Sequence, residues 1–187
     1  MIKVFIFHGT EGSPDSNWFS WIKEELENLG HKVFIPKFPT PEDQNLENWL
    51  KVFEDECEEN LDEDSIFIGH SLGCAFILNI LERINIEIKS CYLVAGFIEN
   101  LGNEHFDNLN RTFIDKEFDW EKIKRNCKLF YVINSDDDPY VPFSCGEKIS
   151  KELNAHLFML ESAGHINLES GFDKFEFLLK ELRKELS

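Results

Sequence analysis

Nothing in this 187-residue chain approaches the roughly 18 consecutive apolar residues of a membrane span. Basic residues are scarce: 19 Lys and Arg stand against 36 Asp and Glu, a net charge of −17. That balance excludes the basic face with which a nucleic-acid binder neutralises phosphates, and it opposes docking on an anionic membrane. It fits a soluble protein whose surface repels its neighbours. The five cysteines are odd in number and form no C-x-x-C pair, so neither a disulfide framework nor a zinc knuckle is expected, only reduced, partly buried thiols. Internal repeats, low-complexity tracts and Gly/Ser/Pro linkers are also missing, which predicts one domain over residues 1–187. The N-terminus lacks the long apolar core and small-residue cleavage site of a signal peptide; Ile2–Phe7 reads as a buried strand, and a cytoplasmic protein is expected. No G-x-x-x-x-G-K-S/T occurs, nor a strand followed by G-x-G-x-x-G, so phosphate-cradling loops are excluded.

What is present is alternation. Short runs rich in Ile, Val and Phe predict strands at Lys3–Phe7, Lys32–Ile35, Ser65–Ile68, Lys89–Val94, Lys128–Ile133 and His156–Leu160. Several are apolar throughout, as in a parallel sheet covered on both faces. Helices are predicted at Trp18–Leu29, Leu46–Glu59, Leu72–Glu82, Trp120–Arg125, Gly146–Leu153 and Phe172–Leu182. The segment 96–118 reads as a long, polar, irregular loop with Phe97, Phe106 and Phe113 spaced through it. The fold class is therefore α/β: a mostly parallel sheet of about six strands with helices on both faces and no large cap domain. In such sheets ligands bind beyond the carboxyl ends of the strands.

After the third strand comes Gly69-His70-Ser71-Leu72-Gly73, a match to G-x-S-x-G. A serine on a sharp strand-to-helix turn projects above the sheet, and the flanking glycines remove side chains that would clash where strand and helix close together. Free N–H groups of the helix N-terminus favour negative charge developing there. After the fifth strand, Asp136, Asp137 and Asp138 offer a carboxylate to orient a histidine. A calcium loop starting at Asn134 fails, because Pro139 stands where Gly is needed and Cys145 where Glu is needed. After the sixth strand lies His165. The order Ser, Asp, His, each after a separate strand, is that of α/β-hydrolases. The loop after the first strand, His8-Gly9-Thr10-Glu11-Gly12, is placed to supply an oxyanion-hole amide, with Thr10 the candidate and the amide of Leu72 the second donor. His8 and His70 read as loop braces rather than as the base.

The chain resembles the small α/β-hydrolases of the retinoblastoma-binding protein 9 and YdeN type over nearly its whole length. The resemblance rests on His8-Gly9, Gly69-His70-Ser71-Leu72-Gly73, Phe118-Asp119-Trp120-Glu121-Lys122-Ile123-Lys124, Asp137-Asp138-Pro139-Tyr140-Val141-Pro142-Phe143 and Gly164-His165. It implies a serine hydrolase with Ser71 as nucleophile, His165 as base and Asp138 as orienting acid, Asp137 being the runner-up, and it implies no metal or organic cofactor. One departure bears on partners. Relatives of the human type associate with retinoblastoma protein through L-x-C-x-E, whereas here Asp55 replaces the Leu of Asp55-Glu56-Cys57-Glu58-Glu59. A carboxylate does not fill an apolar pocket, so that partner is not expected, and the stretch reads as a solvated acidic face.

These residues predict hydrolysis of a small ester, amide or thioester through an acyl-enzyme on Ser71. Trp18, Phe97 and Phe143 are candidates for an apolar substrate pocket, and the net charge favours neutral or cationic substrates. The alternative is a protein-binding module on a hydrolase scaffold, against which a complete Ser-Asp-His set argues. A thioesterase or acyltransferase would carry the same three residues.

Overall fold

Hydrophobic alternation decides the layers. The structure, a computed structural model, describes residues 1–186. Strands β1 (Lys3–Phe7), β2 (Lys32–Phe34), β3 (Ile66–His70), β4 (Ile88–Val94), β5 (Cys127–Ser135) and β6 (His156–Leu160) form one sheet in the order β2-β1-β3-β4-β5-β6. Every neighbouring pair is parallel, so the sheet is wholly rather than mostly so. Along β1, Phe5 and Phe7 point to one face and Val4 and Ile6 to the other, and both sets are fully buried.

Helices α1 (Phe19–Asn28) and α7 (Glu176–Arg183) cover the Val4–Ile6 face. The opposite face carries α2 (Leu46–Glu56), α3 (Leu72–Leu81), α4 (Glu104–Ile114), α5 (Trp120–Arg125) and α6 (Phe143–Leu153). Its core is aromatic. Phe38 stacks on Trp49 at 4.5 Å, and Phe76 and Phe113 meet Trp49 edge-on at 5.3 and 4.9 Å. Each fully buried ring of this kind contributes about 2–3 kcal/mol through removal of apolar surface from water.

Many element ends move by a residue or two from expectation, the helix expected over 46–59 ends at Glu56, and four differences have a local reason. The expected strand ending at Ile68 continues to His70, because Gly69 and His70 pair with Leu93 and Val94 of β4. Helix α6 begins at Phe143, not Gly146; Gly146 lies inside it because a Cβ there would stand 2.6 Å from Asn134 Oδ1. The last helix starts at Glu176, leaving Phe172 and Phe175 in the preceding turn, where Phe175 packs on Trp18. Most consequential, residues 96–118 are not an irregular loop, for α4 occupies half of them. Asn103 caps α4, accepting from the N–H groups of His105 and Phe106, while Asp107 reaches back to accept from those of Leu101 and Gly102.

Asp55, Glu56, Glu58 and Glu59 are exposed and Cys57 is buried, as a solvated acidic face requires. All five cysteines are free and buried. Among the described residues no helix is long and apolar enough to cross a membrane. The chain runs from β1 outward to β2, then back past β1 to β3, so strand order reverses between β1 and β3. The loops leaving those two strands flank the crevice where such folds bind ligands.

Candidate active site

Ser71 sits between the last residue of β3 and the first of α3 with φ 57° and ψ −120°, a conformation costly for any residue with a side chain. Its N–H is anchored to the Val94 carbonyl at 2.9 Å. The turn is possible because neighbouring Cβ atoms are missing. One on Gly69 would lie 2.7 Å from the Gly73 carbonyl carbon, and one on Gly73 would lie 2.2 Å from the Phe7 oxygen. One on Gly9 would lie 2.8 Å from Ser71 Cβ. This strand-to-helix turn, the nucleophile elbow, and the loop after β1 are thus packed backbone to backbone. Leu72, in the first turn of α3, has an N–H with no intrahelical acceptor.

Asp138 and His165 meet across the loops after β5 and β6. His165 Nδ1 lies 2.7 Å from Asp138 Oδ2, and the Asp138 side chain is wholly buried. Its other oxygen accepts from the N–H groups of Tyr140 and Val141 at 2.8 and 3.0 Å. With Nδ1–H donating to the carboxylate, Nε2 is the imidazole nitrogen left with a lone pair. Asp137 does other work: its Oδ1 accepts from the Gly164 N–H and from Ser135 Oγ, both at 2.7 Å, tying the two loops together. Those donors hold its carboxyl below the usual range.

His8 and His70, the two histidines beside His165 at the cavity, brace backbone. His8 Nδ1–H donates to the Gly9 carbonyl, and its Nε2 accepts from the Phe38 N–H. His70 Nε2–H donates to the His165 carbonyl at 2.9 Å. Burial pushes the His70 imidazole down to about 3, so it is neutral and a fixed donor at ordinary pH. Burial lowers His8 as well.

Ser71 and His165 open on one cavity of about 300 Å³, together with Gly9, Thr10 and His70. Of the expected pocket aromatics, Phe97 lines it; Trp18 and Phe143 do not. Trp18 is fully buried under α1, and its Nε1–H donates to the Ile166 carbonyl at 3.0 Å, fixing the residue after His165. Phe143 turns aside as the first residue of α6, and Tyr140 and Val141 stand at the wall instead. Phe106, expected only as an aromatic of an irregular loop, joins the wall from α4 with Asn110, and Leu168 and Glu169 beyond His165 join it without having been expected there. The spacing of Phe106, Asn110, Phe113 and Ile114 was the available signal, a helical stripe interrupted by one polar residue.

The parallel sheet with Ser71, Asp138 and His165 beyond the ends of β3, β5 and β6 defines an α/β-hydrolase fold. The chain matches the serine hydrolase family model over residues 4–184 and belongs to that family; it is a hydrolase. YdeN from Bacillus subtilis is 32% identical over 91% of this chain and 88% of its own, and its crystal structure superposes with a TM-score of 0.92 over 99% and 98% of the two chains. The serine hydrolase RBBP9 of Rattus norvegicus is 28% identical over 87% of this chain and 86% of its own. Est1E from Butyrivibrio proteoclasticus, solved with ferulic acid bound, shares the fold with a TM-score of 0.71 at 19% identity, over 98% of this chain and 90% of its own.

Proposed function

We propose that Ser71, His165 and Asp138 act as a catalytic triad that hydrolyses a small ester, amide or thioester. The observation that carries this is the wholly buried Asp138 carboxylate at 2.7 Å from Nδ1 of a histidine that shares its cavity with a strained serine. His165 Nε2 takes the Ser71 proton as Oγ attacks the carbonyl carbon. Asp138 keeps the imidazole in the tautomer that leaves Nε2 free and stabilises the imidazolium. The amides of Leu72 and Thr10 receive the oxyanion. His165 returns the proton to the leaving group, and water, activated by the same nitrogen, releases the acyl group.

The wall supports an uncharged, apolar acyl group. Phe97, Leu101, Phe106 and Tyr140 face the cavity, and its only acidic or basic side chains besides histidines are Glu11 and Glu169. Nothing cationic among the described lining residues would compensate a carboxylate on the substrate.

Labelling with a fluorophosphonate, alongside turnover of p-nitrophenyl esters, tests the triad. Wild type is expected to label, Ser71→Ala not at all, and Asp138→Asn to lose about 10³–10⁴ in kcat with the fold intact. Folded wild type that neither labels nor turns over any ester overturns the proposal and favours a binding module.

A further inference from the structure

Three segments far apart in sequence converge behind the loop after β1. Thr10 Oγ1 donates to Asn110 Oδ1 of α4 at 2.5 Å. Gln44, from the connection between β2 and α2, donates through Nε2 to Asn110 Oδ1 at 3.0 Å, to Thr10 Oγ1 at 3.2 Å and to the Leu109 carbonyl at 3.2 Å. Its Oε1 accepts from Thr40 Oγ1 at 2.5 Å, and Thr40 Oγ1 accepts the Glu11 N–H at 2.7 Å. Asn110 is 3% exposed and Gln44 9%. Two buried amide side chains are costly unless satisfied. Asn110 also stands on the inward stripe of α4, where an aliphatic residue would pack at less cost.

The network's effect falls on the loop backbone. The Glu11 amide is held by Thr40 and the Gly12 amide by the Gly9 carbonyl at 3.1 Å. Glu11 has φ 57°, so this turn is strained and needs outside support. Among the described residues nothing accepts from the Thr10 N–H, and Thr10 lines the cavity beside Ser71.

We infer that Asn110 and Gln44 are positioning residues for the oxyanion donor. They act through the Thr10 hydroxyl to fix where the Thr10 amide points. The inference rests on the acyl-transfer reading of Ser71. An oxyanion donor is effective only within about 2.7–3.1 Å of the developing charge, and a misplacement of about 1 Å costs up to about 10²-fold in rate. The same network ties that amide to α4, whose Phe106 forms the pocket wall, so one helix sets both acyl fit and oxyanion geometry.

Thr10→Val and Thr10→Ser, with Asn110→Ala, decide it. Val keeps the shape of Thr and loses the hydroxyl; Ser keeps the hydroxyl. Turnover of p-nitrophenyl acetate is measured per fluorophosphonate-titrated Ser71, which removes unfolded protein from the count. Thr10→Val and Asn110→Ala are expected to lose about 10–100-fold in kcat with KM within about threefold, since the lost interaction belongs to the transition state. Thr10→Ser is expected to recover most of the turnover that Thr10→Val loses. Wild-type kcat in Thr10→Val, or a change confined to KM, overturns the inference while leaving the triad standing. Absence of Ser71-dependent turnover in wild type overturns both. Should Asn110→Ala not fold, the Thr10 pair alone decides.

Discussion

The elbow and the α4 wall border the same cavity but are built on different principles. At the elbow, backbone packs on backbone: Gly69, Gly73 and Gly9 exist because any Cβ would strike main-chain atoms or the Ser71 side chain. At the wall, side chains bond to side chains: Thr10, Gln44 and Asn110 hold a loop whose own backbone supplies the bond from the Gly12 N–H to the Gly9 carbonyl. The first arrangement admits no tuning, because main-chain atoms cannot be repacked. The second can be altered one residue at a time without moving the sheet. On the acyl-transfer reading, the nucleophile is lodged in the rigid half, and the oxyanion donor and substrate fit in the adjustable half.

The contrast breaks most sharply at glycine. A Cβ at Gly73 would lie 2.2 Å from the Phe7 oxygen and 2.9 Å from its carbon, so α3 would have to lift off β1. Gly73→Ala is expected to cost about 4 kcal/mol or more, enough to leave little folded protein. Gly102, at the approach to α4, has φ 81° and open space around it. Gly102→Ala is expected to cost about 1 kcal/mol from backbone conformation alone. Urea denaturation of the two variants measures the difference; equal losses would remove the distinction between the two regions.

That difference also decides what could be read from the sequence. Backbone packing leaves a string of glycines at fixed spacing, so G-x-S-x-G located Ser71, and the strand before it and helix after it located the fold. Asp138 followed from a loop spacing shared with relatives, and the structure brings it to His165. Side-chain networks leave no such string. Asn110 interrupts the apolar stripe of α4, so a capped helix with Phe113 and Ile114 in the core read as irregular chain. Trp18 was legible as a large aromatic near the site, but its Nε1–H bond to Ile166, 148 residues away, was not. It made an element that steadies His165 look like a substrate contact.

A smaller effect at the elbow depends on pH. His70 at the elbow is fully shielded, and burial holds its imidazole at about 3 against an ordinary value of 6.5. The unfolded chain protonates it near 6.5, so between about pH 6.5 and 3 the unfolded state binds more protons. The stability that neutral His70 contributes is complete above that window and is lost as pH falls through it. Between pH 7.5 and 5 the loss is about 2 kcal/mol. His8, lowered by burial too, acts in the same direction. Urea midpoints at both pH values are expected to show His70→Gln, which keeps an N–H donor, losing about 2 kcal/mol less than wild type. An unchanged pH slope in His70→Gln would assign the acid sensitivity elsewhere.

The smallest effect expected lies at Phe106, and it tests whether the wall is tunable at all. Phe106 and Phe113 share α4, yet Phe113 is fully buried against Trp49 while Phe106 is half-buried and faces the cavity. Beside it stands Tyr140, edge to face with ring centroids 6.4 Å apart. Removing the Phe106 ring exposes little core, because water already reaches it. It does remove one of the aromatic groups that border the cavity where an acyl group would lie. Phe106→Ala is therefore expected to lower kcat/KM for p-nitrophenyl phenylacetate about tenfold relative to p-nitrophenyl acetate, about 1.4 kcal/mol of differential binding. Thermal stability should fall by no more than about 1 kcal/mol. A large stability loss with unchanged selectivity would place Phe106 in the core beside Phe113 and take the acyl pocket away from α4. The expected pattern would show that the helix can be redesigned for a different acyl group while the elbow beneath it stays as it is.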